Sequence, residues 1–264
     1  RRLRGGTQAM SKIMAPHIPR SCTHVRGHGG VKGALRQIQR RMAKARFVAR
    51  FDIAAYYTSM RHDVIEAQVA ATDLDAHQRG LIADYLALPD SQGAGVGMVA
   101  SGGLSPLLGA LYLTPLDRRM DRLCKGKRLV HYVRYMDDIV LLARTRWELR
   151  RAIAALHEEI TPLGLRLHRV KRFIGRTTQG FDFLGYQIRA GARLRPSAEG
   201  LRRLRERARQ LYEREGDWHR LRQYVLRWQR WHLGGLDGMV RRKGGVKRTW
   251  NHVLTHLCLK HPPG

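Results

Sequence analysis

Asp137 and Asp138 stand side by side in HYVRYMDDIVLLA, residues 131–143, between two short apolar runs. Adjacent carboxylates repel, and each raises the other's pKa unless a cation lies beside them. A divalent metal removes that cost: Mg²⁺ takes a couple of carboxylates and completes its shell with water and phosphate oxygens. A two-metal centre for phosphoryl transfer needs a further carboxylate from another strand. Asp52 in RFDIAAYY is the candidate, because it too sits where an apolar strand runs out. Asp-Asp pairs are common at solvated turns. An aromatic-Met-Asp-Asp string inside an apolar hairpin is not.

The elements that must carry these groups are readable from periodicity. RLVHYVRY and IVLLA flank Met136-Asp137-Asp138 as a tight β-hairpin, and FVARFDI reads as a strand ending near Asp52. Residues 1–30, rich in Gly and Arg, read as loop and short elements. Val31, Leu35, Ile38 and Met42 form the stripe of a very basic helix over 31–46. Residues 61–88 read as helical and 89–103 as a glycine-rich loop. Ser105 is placed as N-cap and Pro106 as first residue of a helix through SPLLGALYLTPLDRRMDRL. Leu149, Ile153, Leu156 and Ile160 mark an amphipathic helix closing near Pro162-Leu163-Gly164, and a second hairpin is expected within RFIGRTTQGFDFLGYQI. Beyond Arg195 two basic helices follow. The alternation of strand, helices, hairpin and helix predicts an α+β fold, an antiparallel sheet backed by helices.

The chain of 264 residues carries 50 Lys+Arg against 21 Asp+Glu, a formal net charge of +29. Residues 1–50 hold 13 Lys/Arg and no acid, residues 51–192 hold 19 against 15, and residues 193–264 hold 18 against 6. Two basic flanks around a nearly balanced centre point to a polyanionic partner, nucleic acid first. Cys22, Cys124 and Cys258 are too scattered for a CxxC-type zinc site or a disulfide framework, which suits a reducing cytoplasm. No apolar run approaches the roughly twenty residues of a membrane span, so no membrane partner is expected. The opening on Arg1 instead of Met raises the expectation of a missing N-terminus.

These strings together resemble the reverse transcriptases. YMDD at 135–138 is similar to their catalytic hairpin and FDIAAYY at 51–57 to their first catalytic segment. LSPLLGALYLTPLD at 104–117 resembles their serine-proline helix, and GLRLHRVKRFIG and GFDFLGY the two segments that follow, ending in the primer-grip hairpin. VRGHGGVKGALR at 25–36 resembles the fingers segment that contacts template. The order agrees and the match covers about residues 20–190, nearest the bacterial group: group II intron, retron and related enzymes.

The resemblance implies a right-hand polymerase with partial fingers at 1–50, a palm at 51–192 with a fingers insertion at about 61–98, and a small helical thumb at 193–264. It implies Asp52, Asp137 and Asp138 as carboxylate ligands of two Mg²⁺ ions, with Mn²⁺ as a substitute, and the Ile53 carbonyl as a further ligand. Tyr57 matches the aromatic gate that excludes a 2′-hydroxyl, with neighbouring Tyr56 leaving a one-position ambiguity. Lys171 matches the lysine that approaches the triphosphate. Tyr135 and Met136 fall beside substrate, and Ala100-Ser101 replace the Gln-Gly pair that lies against the incoming base pair in many relatives, a departure that touches fidelity. The implied activity is RNA-templated DNA synthesis from dNTPs on a DNA or RNA primer, with a dedicated non-coding RNA among the candidate partners and mobility or phage defence as the setting. The competing reading is an RNA-binding maturase or ribonucleoprotein scaffold descended from such an enzyme, and a third is an RNA polymerase or terminal transferase on the same palm. Trp218, Tyr224, Trp228 and Trp231 read as core packing before base stacking, and His252, His256, Cys258 and His261 are a weak zinc set.

Overall fold

The computed structural model describes residues 2–88, 95–100, 102–215, 217–241 and 248–257. They divide into two compact units, 1–176 and 177–264.

In the first unit β1 (Phe47–Ala54) runs through the middle of an antiparallel sheet. It pairs with β3 (Asp138–Ala143), which pairs with β2 (His131–Tyr135), and on its other side with β4 (Arg166–Leu167) and β5 (Phe173–Arg176). Side chains alternate along each strand. Ala49, Phe51, Ile53, Tyr132, Ile139 and Leu141 therefore enter one core, shared with α5 (Ser105–Tyr112), α6 (Thr114–Lys125) and α7 (Arg146–Ile160). A further helix, α2 (Gly30–Met42), packs against β2. The remaining helices of this unit are α1 (Arg2–Met14), α3 (His62–Ala70) and α4 (Ala76–Leu86).

In the second unit β6 (Phe181–Phe183), β7 (Tyr186–Ile188) and β8 (Arg195–Pro196) form a small sheet, followed by α8 (Ala198–Glu215), α9 (Trp218–Leu233) and α10 (Thr249–His256). Leu204, Ala208, Leu221, Val225 and Val253 are its buried helical core, with Trp218, Tyr224 and Trp228 packed against it. Trp231 is about half exposed and stacks on Tyr186 at 5.7 Å. Much of the charge on α8 is internally paired, Arg202 and Arg203 with Glu199 and Arg209 with Glu213.

Several expectations need correction. The Gly- and Arg-rich start is helical over Arg2–Met14, because Met10 and Met14 find a core to enter. The helical stretch 61–88 breaks at residues 71–75, where Asp75 caps α4 through a reciprocal box with Gln78. Ser105 is not the N-cap; its hydroxyl donates to the carbonyls of Gly102 (2.7 Å) and Ala100 (3.1 Å), and Leu104 takes the cap position. The helix that follows is two helices meeting at Leu113, where Pro115 opens the second. The second hairpin is β6–β7 alone, since Phe173–Arg176 joins β1 instead.

Candidate active site

The register of the sheet brings the aspartates together. Asp52 is the direct cross-strand partner of Asp138, and Tyr135 is the partner of Asp138 on its other side. Asp137 occupies the turn between β2 and β3, and its carbonyl accepts the Ile53 N–H at 3.2 Å. The Asp52 carbonyl in turn accepts the N–H of His168, at 2.7 Å, fixing the edge beside β4. Carboxylates from two strands and one turn thus share one end of the sheet.

Holding them there is costly. Burial, then the neighbouring Asp137 carboxylate, pushes Asp138 up to about 6, with Arg50 acting in the opposite sense. Asp137 is raised as well, by burial first and by Asp52 among its neighbours. Lys171 supplies the nearest side-chain cation to Asp52, with Nζ 3.9 Å from Oδ2. Among the described residues no three His, Cys, Asp or Glu side chains stand close enough to hold a metal ion unaided. The aspartates make an open set of hard oxygen donors, partly buried and like-charged. This fits Mg²⁺, which keeps several waters and accepts phosphate oxygens as ligands, and not a structural zinc.

The two tyrosines after β1 separate cleanly. Tyr56 is buried and its hydroxyl donates to the Gly109 carbonyl on α5 at 2.5 Å. Tyr57 is half-buried, its ring 5.0 Å from that of Tyr56, and its hydroxyl pKa is pushed to about 12 by burial and then by Asp137. Gly109 leaves room for both rings: a Cβ there would lie 3.1 Å from Tyr56 and 3.2 Å from Tyr57.

Sequence residues 3–188 match the model of the family described as reverse transcriptase (RNA-dependent DNA polymerase). The chain belongs to the reverse transcriptase family. Solved structures of similar fold include apo telomerase from Candida tropicalis, at TM-score 0.58 and 11% identity over 80% of this chain and 44% of that one. The same organism's telomerase truncated from its C-terminal domain gives TM-score 0.56 and 9% identity over 74% and 45%. Its complex with a TWJ fragment of telomeric RNA gives 0.55 and 10% over 96% and 45%. At such identities the likeness is one of fold, the right-hand polymerase fold, and the chain spans less than half the length of these telomerases. No curated protein is significantly similar to it in sequence.

Within this reverse transcriptase fold, Asp52, Ile53 and Tyr57 lie at the end of β1, Tyr135, Met136, Asp137 and Asp138 at the β2–β3 turn, and Lys171 reaches Asp52 from the β4–β5 connection. Ala100 is exposed at the head of α5, its carbonyl taken by Ser105, and Ser101 lies outside the described residues. His252 and His256 are on α10, while Cys258 and His261 lie outside the described residues. Among the described residues no helix is long and apolar enough to cross a membrane.

Sequence reading missed the support beneath the turn. Arg134 is wholly buried, its Nε donating to Asp117 Oδ1 at 2.8 Å and a second guanidinium nitrogen to Oδ2. Tyr132 donates to the same carboxylate at 2.6 Å. The signal was present: in HYVRY a charged residue falls on the inward beat of a buried strand.

Proposed function

We propose that this chain is the catalytic core of an RNA-templated DNA polymerase that extends a primer 3′-hydroxyl with dNTPs, nearest in kind to the bacterial group II intron and retron enzymes. The observation that carries the reading is the pairing of Asp52 with Asp138 beside Asp137, which brings carboxylates from two distant parts of the chain to one end of the sheet. In this reading Asp52, Asp137, Asp138 and the Ile53 carbonyl hold two Mg²⁺ ions, which when bound neutralise phosphate charge and favour the ionised 3′-hydroxyl. Lys171 stands at the Asp52 flank, where it can meet the triphosphate and hand a proton to departing pyrophosphate. Tyr57 lies under the sugar and excludes a 2′-hydroxyl, whereas Tyr56 holds α5. Tyr135 and Met136 serve as substrate-binding residues, and Ala100-Ser101 replace the Gln-Gly pair that meets the incoming base pair in many relatives.

In this reading residues 1–50 serve as fingers, 51–192 as palm with an insertion at about 61–98, and 193–264 as thumb. The basic flanks grip an RNA template and a DNA or RNA primer through phosphates, in the cytoplasm. A dedicated non-coding RNA is a further partner in this account, with mobility or phage defence as the setting.

The experiment is dNTP incorporation on an RNA template with a DNA primer and Mg²⁺, beside an Asp137→Ala protein of equal RNA affinity. Labelled DNA made by the unaltered chain alone supports the polymerase; equal binding with no extension by either supports the scaffold. In the same assay Tyr57→Ala is expected to admit ribonucleotides, lowering the dNTP over NTP preference by about tenfold or more.

A further inference from the structure

Met136, at the tip of the turn, has a φ of +56°, a left-handed conformation in a residue that is neither glycine nor asparagine. Such a backbone persists only where its surroundings over-determine it. Both of its peptide polar groups end on side chains. The Met136 N–H donates to His24 Nδ1 at 2.9 Å, and its carbonyl accepts from Arg134 at 3.0 Å. Because Nδ1 accepts, the His24 proton sits on Nε2, which donates to the Pro106 carbonyl at 2.9 Å. A second Arg134 nitrogen donates to the Ala110 carbonyl at 3.2 Å. Both routes therefore end on α5, the helix that also receives the Tyr56 hydroxyl at Gly109.

His24 is itself held. Its ring meets Tyr135 edge-on at 5.7 Å, and the preceding residues pair with the outer side of β2: Arg134 N–H donates to Ser21 O, and Thr23 N–H and Oγ to Arg134 O.

We propose that His24 is a positioning residue that, with Arg134, clamps the strained turn to α5 and so fixes Asp137 and Asp138 relative to Tyr57. The proposal rests on the polymerase reading for its kinetic consequence but not for its structural one. A clamp on the turn governs where the carboxylates stand, not how tightly RNA is held. His24→Ala should therefore lower kcat by about tenfold or more while dNTP KM and RNA affinity stay within about twofold. Asparagine sets an amide oxygen where Nδ1 stands and keeps the Met136 bond, whereas glutamine reaches only the Pro106 carbonyl. His24→Asn should recover most of kcat and His24→Gln little.

The test pairs single-turnover primer extension with hydrogen exchange at the Met136 amide. The expected result is exchange that speeds up in the alanine and glutamine variants and stays slow in the asparagine variant, with kcat following the same order. Full kcat in His24→Ala, or equal losses in Asn and Gln variants with the Met136 amide still protected, overturns the clamp. Should the alanine protein not fold, the asparagine and glutamine comparison carries the test. If the unaltered chain extends no primer, the polymerase reading fails, and the exchange order alone supports or overturns the clamp.

Discussion

Asp138 carries much of the electrostatic cost of the site. Its folded-state pKa of about 6 lies above the ordinary carboxylate value near 3.9. A raised carboxylate stabilises the fold fully below its unfolded pKa, and that contribution is lost as pH rises through the folded value. The window is about pH 4 to 6, and the loss is roughly 3 kcal/mol at most. Asp138→Asn is therefore expected to raise the urea midpoint of metal-free protein at pH 7.5, with the advantage vanishing near pH 4. Added Mg²⁺ should stabilise the unaltered protein and do little for the variant. A midpoint difference that ignores pH would contradict this origin. Lys171 makes the opposite case: its ammonium is largely exposed 3.9 Å from Asp52, a pair of small worth to stability. Lys171→Ala should leave the urea midpoint nearly unchanged and slow single-turnover extension severalfold. At this scale the three aspartates and Lys171 were legible as residue types in apolar or basic strings. His24 and Arg134 were not, because their role depends on which distant backbone atoms they meet.

Hydrogen bonds from Arg134 to the Ala110 carbonyl and from His24 to the Pro106 carbonyl tie the β2–β3 hairpin to α5. The hairpin could be read from the chain because alternation and a turn lie within thirteen contiguous residues, 131–143. The partner of Phe173–Arg176 could not, since β1 lies more than a hundred residues away and the local TTQG turn pointed elsewhere. Likewise, α1 is too polar and glycine-rich to announce itself, and its helix depends on a tertiary core. The Arg134–Asp117 pair joins the hairpin to α6, with neither side chain exposed. Breaking a buried pair strands its partner's charge, at a cost of about 3–5 kcal/mol. Asp117→Leu should shift urea unfolding by that order, and the double variant Asp117→Leu, Arg134→Met should recover a good part of it. A double variant no more stable than the single one would show that the pair's value lies in its geometry, not its charge balance.

Across the whole molecule, most of the net charge of +29 lies in the two sequence flanks, and in the polymerase proposal it supplies the attraction for a polyanionic template and primer. Log RNA affinity should fall linearly with log salt, by about 0.7 to 0.9 per phosphate neutralised, and equally for catalytic variants. The α8 arginines paired with glutamates should add little to that slope. Fold class was within reach of the sequence because motif order fixes the sheet and the helices that back it. The polymerase proposal requires Asp52 and the turn aspartates to act as one centre. Its most direct measurement is single-turnover extension by Asp52→Asn, Asp137→Ala and the double variant, at matched RNA occupancy. Groups that act as a unit lose nearly everything at the first substitution, so the double variant should be no slower than either single one. Extension by Asp52→Asn at the rate of the unaltered chain, or losses that multiply independently, would contradict it.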